Sequence, residues 1–116
     1  MKKILAIQGS DLKNINIKTD TTILLAAEAQ KRGYSIYYFE PENLSFLNGK
    51  IIASCKHIKI HDNKKKFYSS IKAINFNLEK SNVILIRNDP PFNNCYLYST
   101  FLLNHISKKI KIINDP

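Results

Sequence analysis

No stretch of this 116-residue sequence approaches the ~20 consecutive apolar residues that a membrane-spanning helix needs. The N-terminus, MKKILAIQGS, starts basic, but its apolar stretch is too short for a signal peptide and reads as a first strand. Cysteine is scarce. Cys55 and Cys95 carry no pairing motif, and a small disulfide framework needs more of them. Both are expected to be reduced, which fits a cytosolic protein. Cys95 is conceivable as a nucleophile, but no histidine partner is placed beside it. Glycine is also scarce. Gly9 stands alone, with neither G-x-G-x-x-G nor G-x-x-x-x-G-K, so no phosphate-cradling loop is present. Arginine supplies only two of the eighteen cations, although the formal net charge is +9. The lysines are scattered, and only 64–66 form a run. Nucleic-acid recognition uses more arginine, with aromatics gathered on one face. A solvated lysine-rich surface accounts for the charge instead. Lys, Asn and Ile fill 47 positions, the pattern of an AT-rich coding sequence.

What is present is a patterned α/β chain of one domain. Hydrophobic residues make up 44%, enough for a single core at this length. Lys2–Gln8 reads as a strand ending in the turn cluster Gly9-Ser10-Asp11. A polar loop follows, DLKNINIKTD, in which Asn14 and Asn16 alternate with Ile15 and Ile17. Thr19 or Asp20 is suited to cap the next segment. TTILLAAEAQKR is rich in Ala and Leu, lacks Gly and Pro, and predicts a helix. Ile23, Ala26, Ala27 and Gln30 share one face, widened by Leu24 and Leu25. Gly33 supplies the left-handed residue after the helix. YSIYYFE is a second strand, so the order strand–helix–strand predicts a right-handed βαβ unit and a parallel sheet.

Beyond Pro41 the pattern changes. Asn48-Gly49 between two apolar runs is a hairpin signal. KHIKIHD alternates as a further strand, and FYSSIKAINFNLEK reads as strand then turn. Residues 45 to 80 are thus expected to form an antiparallel excursion. NVILIR returns to a β-branched run buried on both faces. A helix is expected from about Cys95 to Lys108, capped by Asn93 or Asn94, and IKIIND is a last strand stopped by Pro116.

In an open parallel sheet, ligands bind beyond the C-terminal strand ends. The loop after the first strand and the segment RNDPPF should leave the sheet on that edge and face one cleft. Arg87 offers five donors in a fixed fork suited to a carboxylate or phosphate. Asp89 can orient it or accept from a ligand amine. Pro90 and Pro91 fix backbone angles and remove two donors. A cis bond there would be a specific shape device. The alternative is a structural Arg–Asp pair closing a strand end, with Phe92 plugging the core. Lys18 and Asp20 are the second candidates, against the plainer reading of a helix cap and a surface lysine. His57 and His61 are four apart in a strand, which lacks the helical geometry that metal sites prefer.

The combination NINIK-D, EAQKRGY, LNGK and R-DPPF, with IINDP at the end, resembles the N-terminal domain of prokaryotic glutathione synthetase from Met1 to Pro116. The sequence departs from the family pattern at QGSDLK, where an Asp-Pro pair is usual, and at Asn93, which is usually acidic. The resemblance implies a Rossmann-like, pre-ATP-grasp fold: three α/β layers, a mostly parallel sheet and an antiparallel hairpin excursion. It implies an ATP-grasp ligase that joins glycine to γ-glutamylcysteine with ATP and magnesium, through an acyl-phosphate. Residues 1–116 would form one wall of the peptide cleft and be non-catalytic alone. ATP and Mg2+ would be held by later domains absent from this chain, whose end at NDP looks like a domain boundary. Matching residue by residue, the resemblance assigns Asn14, Asn16, Lys18, Asp20, Arg87, Asp89, Pro90, Pro91 and Phe92 to the substrate side. It also implies a cytoplasmic homo-oligomer, commonly a tetramer, that engages neither nucleic acid nor membrane. Two other classes remain open: a stand-alone α/β ligand-binding module, and a basic nucleic-acid-binding protein.

Overall fold

The computed structural model describes residues 3–9, 12, 21–61, 68–87, 102–104 and 110–114. In chain order they form β1 (Lys3–Gly9), α1 (Thr21–Lys31), β2 (Tyr34–Phe39), β3 (Leu44–Leu47), β4 (Lys50–Ile60), β5 (Tyr68–Asn77), β6 (Val83–Arg87) and β7 (Lys111–Asn114). Residues 102–104 are also helical. Four strands are parallel, in the order β2-β1-β6-β7, and β1 holds the centre. The apolar sequence of β1 follows from that place. Leu5, Ala6 and Ile7 are all buried, because both faces of a central parallel strand are covered.

The antiparallel part grows from β4. Asn48 and Gly49 have φ of 53° and 77°, the paired left-handed geometry of a two-residue hairpin turn, and they join β3 to β4. KIIASC and KHIKIHD, expected as separate strands, form one eleven-residue strand. Its first part pairs with β3 (Leu44↔Ala53) and its later part with β2 (Tyr38↔Lys56). β5 runs along both parts, from Ile52↔Asn77 to Ile60↔Tyr68. A strand has two edges, so β2 and β3 share one and β5 occupies the other. β5 carries a bulge: register passes from Lys72↔His57 to Ser70↔Ile58, leaving Ile71 as the extra residue. Bulges and charges blunt an edge strand against unwanted pairing.

Two cores flank the sheet. On one face Ile23 and Ala26 of α1 meet Leu5, Ile7, Ile36, Tyr38, Ile58 and Leu85. On the other, Leu103 and Ile110 meet Ala6, Phe39, Ala53, Cys55, Phe76, Ile84 and Ile86. Fully burying one such aliphatic side chain stabilises the fold by ~1.5–3 kcal/mol. Helix α1 forms from an Ala- and Leu-rich run and stops at Gly33, whose φ is 93°. Its apolar stripe is narrower than its sequence predicts. Thr22, Ile23 and Ala26 are buried, whereas Leu24 and Leu25 are 68% and 44% exposed. Helix period alone puts them beside the stripe, but α1 lies mainly over β2 and β4 and leaves that flank uncovered. Gln30, expected on the buried face, holds Ile60 of β4 by two hydrogen bonds.

Candidate functional site

Strand order reverses at β1. The chain crosses from β1 to β2 on one side and later places β6 and β7 on the other. The crevice for a ligand in such sheets lies at this reversal, beyond the carboxyl ends. Gly9 and Arg87, the last residues of β1 and β6, are register partners. The chain therefore leaves the sheet at two adjacent points, as the strand-direction argument predicts.

Arg87 projects on the α1 face, in alternation after the buried Leu85. Its Nε donates to Thr22 Oγ1 at 3.2 Å, and its Nη2 donates to Thr21 Oγ1. Both threonines belong to the first turn of α1, a turn with no acidic residue. A guanidinium at a helix N-terminus sets like charge against the positive end of the dipole, an arrangement costing about 0.3–1 kcal/mol. An anion at the same place would offset both. The arrangement suits binding a carboxylate or phosphate oxygen by charge-assisted hydrogen bonds. Proton transfer is not what an arginine does.

Of the nine residues that the sequence singles out, Arg87 alone falls among the described ones. Asn14, Asn16, Lys18, Asp20, Asp89, Pro90, Pro91 and Phe92 lie outside them, and the Arg87–Asp89 pairing lies outside with them. The structure adds Thr21 and Thr22, two hydroxyls in a helix's first turn, a signal that the sequence offered and that capping arguments passed over. It adds Gly9 as well. A Cβ on Gly9 would stand 2.2 Å from the Tyr38 phenolic oxygen, so Tyr38 of β2 lies across the end of β1. His57 and His61 have separate surroundings: His57 stacks tilted on Tyr37 at 4.9 Å, and His61 Nε2 is 2.8 Å from Ser69 Oγ. Among the described residues, no three His, Cys, Asp or Glu side chains group as metal ligands. Cys55 is a free, buried thiol pushed up to about 12 by desolvation, the opposite of an activated nucleophile.

Among the described residues, cavities lie at both ends of the sheet. One, of about 440 Å³, lies between α1 and β7 and is lined by Leu25, Tyr34, Val83 and Ile113 among others. Tyr34 and Val83 begin their strands, so this groove sits at the amino end, away from the ligand edge. The other, of about 200 Å³, opens at the carboxyl end of β2 and includes Tyr38 and Glu40.

The family model described as the N-terminal domain of prokaryotic glutathione synthetase matches residues 3–116. This chain belongs to that family. It is 34% identical to a glutathione synthetase of Mesorhizobium japonicum over 116 residues, covering all of this chain and 37% of that protein. It is 39% identical to one of Agrobacterium fabrum over 114 residues, 98% of this chain and 36% of that protein. A glutathione synthetase of Wigglesworthia glossinidia brevipalpis is also 39% identical, over 113 residues. The chain thus spans little more than a third of the length of these relatives. For a glutathione synthetase N-terminal domain, the α/β architecture with its mixed seven-stranded sheet is the expected pre-ATP-grasp arrangement. No helix among the described residues is long and apolar enough to cross a membrane.

Proposed function

We propose that this chain is the substrate-side part of a glutathione synthetase, an ATP-dependent ligase, and that it forms one wall of the γ-glutamylcysteine cleft. The observation that carries this reading is the pairing of Gly9 with Arg87, with the Arg87 guanidinium bonded to the first turn of α1. Two sources of positive potential, the Arg87 guanidinium and the amino end of α1, meet there at one sheet edge, and the peptide substrate carries carboxylates. Asn14, Asn16, Lys18, Asp20, Asp89, Pro90, Pro91 and Phe92 complete the wall in this reading.

In this reading ATP and magnesium are held outside this chain. The sequence has no glycine-rich phosphate loop, and the described residues hold no carboxylate cluster. Both are assigned to the remainder of the enzyme, together with glycine, so this part alone is non-catalytic. The working protein is read as a cytoplasmic homo-oligomer, commonly a tetramer, with no role at nucleic acid or membrane.

Steady-state kinetics of the full-length enzyme test the wall. Arg87→Ala should raise KM for γ-glutamylcysteine about tenfold to a hundredfold, the worth of one charge-assisted hydrogen bond. KM for ATP and glycine should change little. An unchanged peptide KM in a folded variant refutes the assignment. Salt-dependent, sequence-selective nucleic-acid binding by the chain would favour the basic-protein reading instead.

A further inference from the structure

Helix α1 lies mainly over β2 and β4, which leaves the β6–β7 half of that face without a helix among the described residues. The groove of about 440 Å³ runs along this half. Leu25 and Ala29 of α1 form one wall, Leu5, Val83 and Leu85 form the floor, and Ile113 of β7 stands opposite. Leu25 and Ile113 are 44% and 42% exposed. Glu28 and Arg32 stand on the rim and already pair with each other at 3.4 Å. Small-ligand pockets add convergent polar groups that fix orientation, whereas here the two charged side chains bond each other. The groove therefore asks for an apolar surface and not for a charged ligand.

Topology limits what can fill it. β1 to β2 steps one way along the sheet, and β6 to β7 steps the other. Crossovers of one hand then lie on opposite faces. Ile23 of α1 and Leu103, from the segment between β6 and β7, sit in the two opposite cores accordingly. A further crossover stepping outward from β7 would join the face of Leu103 again. The groove is thus left to a segment that ends this sheet and does not extend it. We propose that the groove seats an amphipathic helix of the same polypeptide, formed by residues that follow Pro116 in the full-length enzyme. That helix ties the domain to the remainder of the protein.

Length and tether select this occupant. The chain covers 37% and 36% of two relatives, and its family model is described as an N-terminal domain. Most of such a polypeptide therefore follows on the C-terminal side. β7 ends at Asn114 and carries the outer wall of the groove, so the following segment starts beside its seat. A short tether holds a segment at an effective concentration on the order of millimolar, an advantage that a separate copy of the chain lacks. From the carboxyl edge the segment runs back antiparallel to β7, and about nine helical residues span the four of that strand. Its apolar residues recur at helical spacing and meet Leu25 and Ile113. The inference goes beyond the proposed function and rests on it only in taking this chain as the first part of a longer enzyme.

Thiol labelling of the full-length enzyme tests it. Leu25→Cys and Ile113→Cys are each treated with a maleimide, and the peptide that carries the site is read by mass spectrometry. A seated helix slows labelling more than about tenfold relative to the same variant unfolded in urea. A smaller slowing at either site, which the exposure of both side chains in these 116 residues would allow, overturns the inference. A photo-reactive benzophenone side chain in place of Leu25 then identifies the occupant. The expected product is a cross-link within one chain to a residue beyond Pro116. A cross-link between two chains, or to a residue before Pro116, overturns it. Ligase turnover with γ-glutamylcysteine, glycine and ATP is scored on the same enzyme. Turnover with a freely labelled groove leaves the proposed function standing and removes the helix. A groove that is protected and cross-links beyond Pro116, in an enzyme without turnover, does the reverse.

Discussion

The side-chain amide of Gln30 bonds both backbone groups of Ile60. Its Nε2 donates to the Ile60 carbonyl at 3.0 Å, and its Oε1 accepts from the Ile60 N–H at 2.9 Å. Continuing the β2–β4 register beyond Ile36↔Ile58 would set Ile60 opposite Tyr34, where β2 is only beginning. A helical side chain thus takes the role of a strand neighbour and ties α1 to the far end of β4. Replacing Gln30 by Leu keeps the volume and leaves both groups unsatisfied at a part-buried place. The expected loss is ~1–3 kcal/mol in denaturant unfolding. Gln30→Glu retains the acceptor, removes the donor, and should fall between the two.

Gly9 and Tyr38 should show strong coupling. Gly9→Ala sets a Cβ 2.2 Å from the phenolic oxygen and 2.8 Å from the ring carbon that bears it. The ring is held by neighbours in a buried cluster and cannot swing away freely. Overpacking of this kind costs ~1–3 kcal/mol. Shortening the ring in Tyr38→Leu costs stability by itself, but the double variant should be less destabilised than the sum of the two. A double-mutant cycle on unfolding free energies reads that difference.

Much of the fold was legible before any coordinates. β1, α1 and β2 follow from an apolar run, an Ala-rich segment without Gly or Pro, and a β-branched aromatic run. The hairpin follows from Asn48-Gly49, and β5 with its following turn follows from FYSSIKAINFNLEK. The shared carboxyl edge also followed from strand direction. Three things did not. The fusion of KIIASC and KHIKIHD into β4 depends on two different strands using one edge, which is a property of the sheet. The exposure of Leu24 and Leu25 depends on where α1 sits across β2 and β4, and helical period carries no such information. Arg87's bonds to Thr21 and Thr22 join residues 65 and 66 positions apart. Residue type suggested an anion-binding arginine and gave no clue to its neighbours.

Burial of Cys55 has a pH signature. Desolvation raises its thiol from 9.0 to about 12. In the unfolded chain the thiol ionises near 9.0, while in the folded chain it stays protonated. The folded state then binds more protons, so stability falls with rising pH. This contribution is fully present below pH 9.0 and is lost as pH climbs through about 12. Its slope is at most ~1.4 kcal/mol per pH unit. Unfolding curves from pH 7 to pH 11 should show a steeper decline for the native chain than for Cys55→Ala. Parallel declines would contradict the desolvated thiol.

The β3–β4 turn offers a local check. Gly49 has φ of 77° with nothing within 4 Å of a prospective Cβ, so space is no obstacle to alanine there. Backbone conformation alone opposes it. Gly49→Ala should destabilise by about 1 kcal/mol, and Gly49→Asn by less, since asparagine tolerates the left-handed region. Thermal unfolding of the two variants ranks them.

The central place of β1 bears on how the chain is made. Its second neighbour is β6, with Leu5 beside Val83, so the middle of the sheet is closed by residues 78 positions apart. Until about residue 87 has been synthesised, β1 presents an open, apolar edge beside β2. Such late, non-local closure slows folding and lengthens the interval in which an unpaired edge can recruit another chain. Nascent chains that stall within β4 or β5 should therefore be aggregation-prone, and the emergence of Val83–Arg87 marks the point at which the domain becomes self-contained on that side.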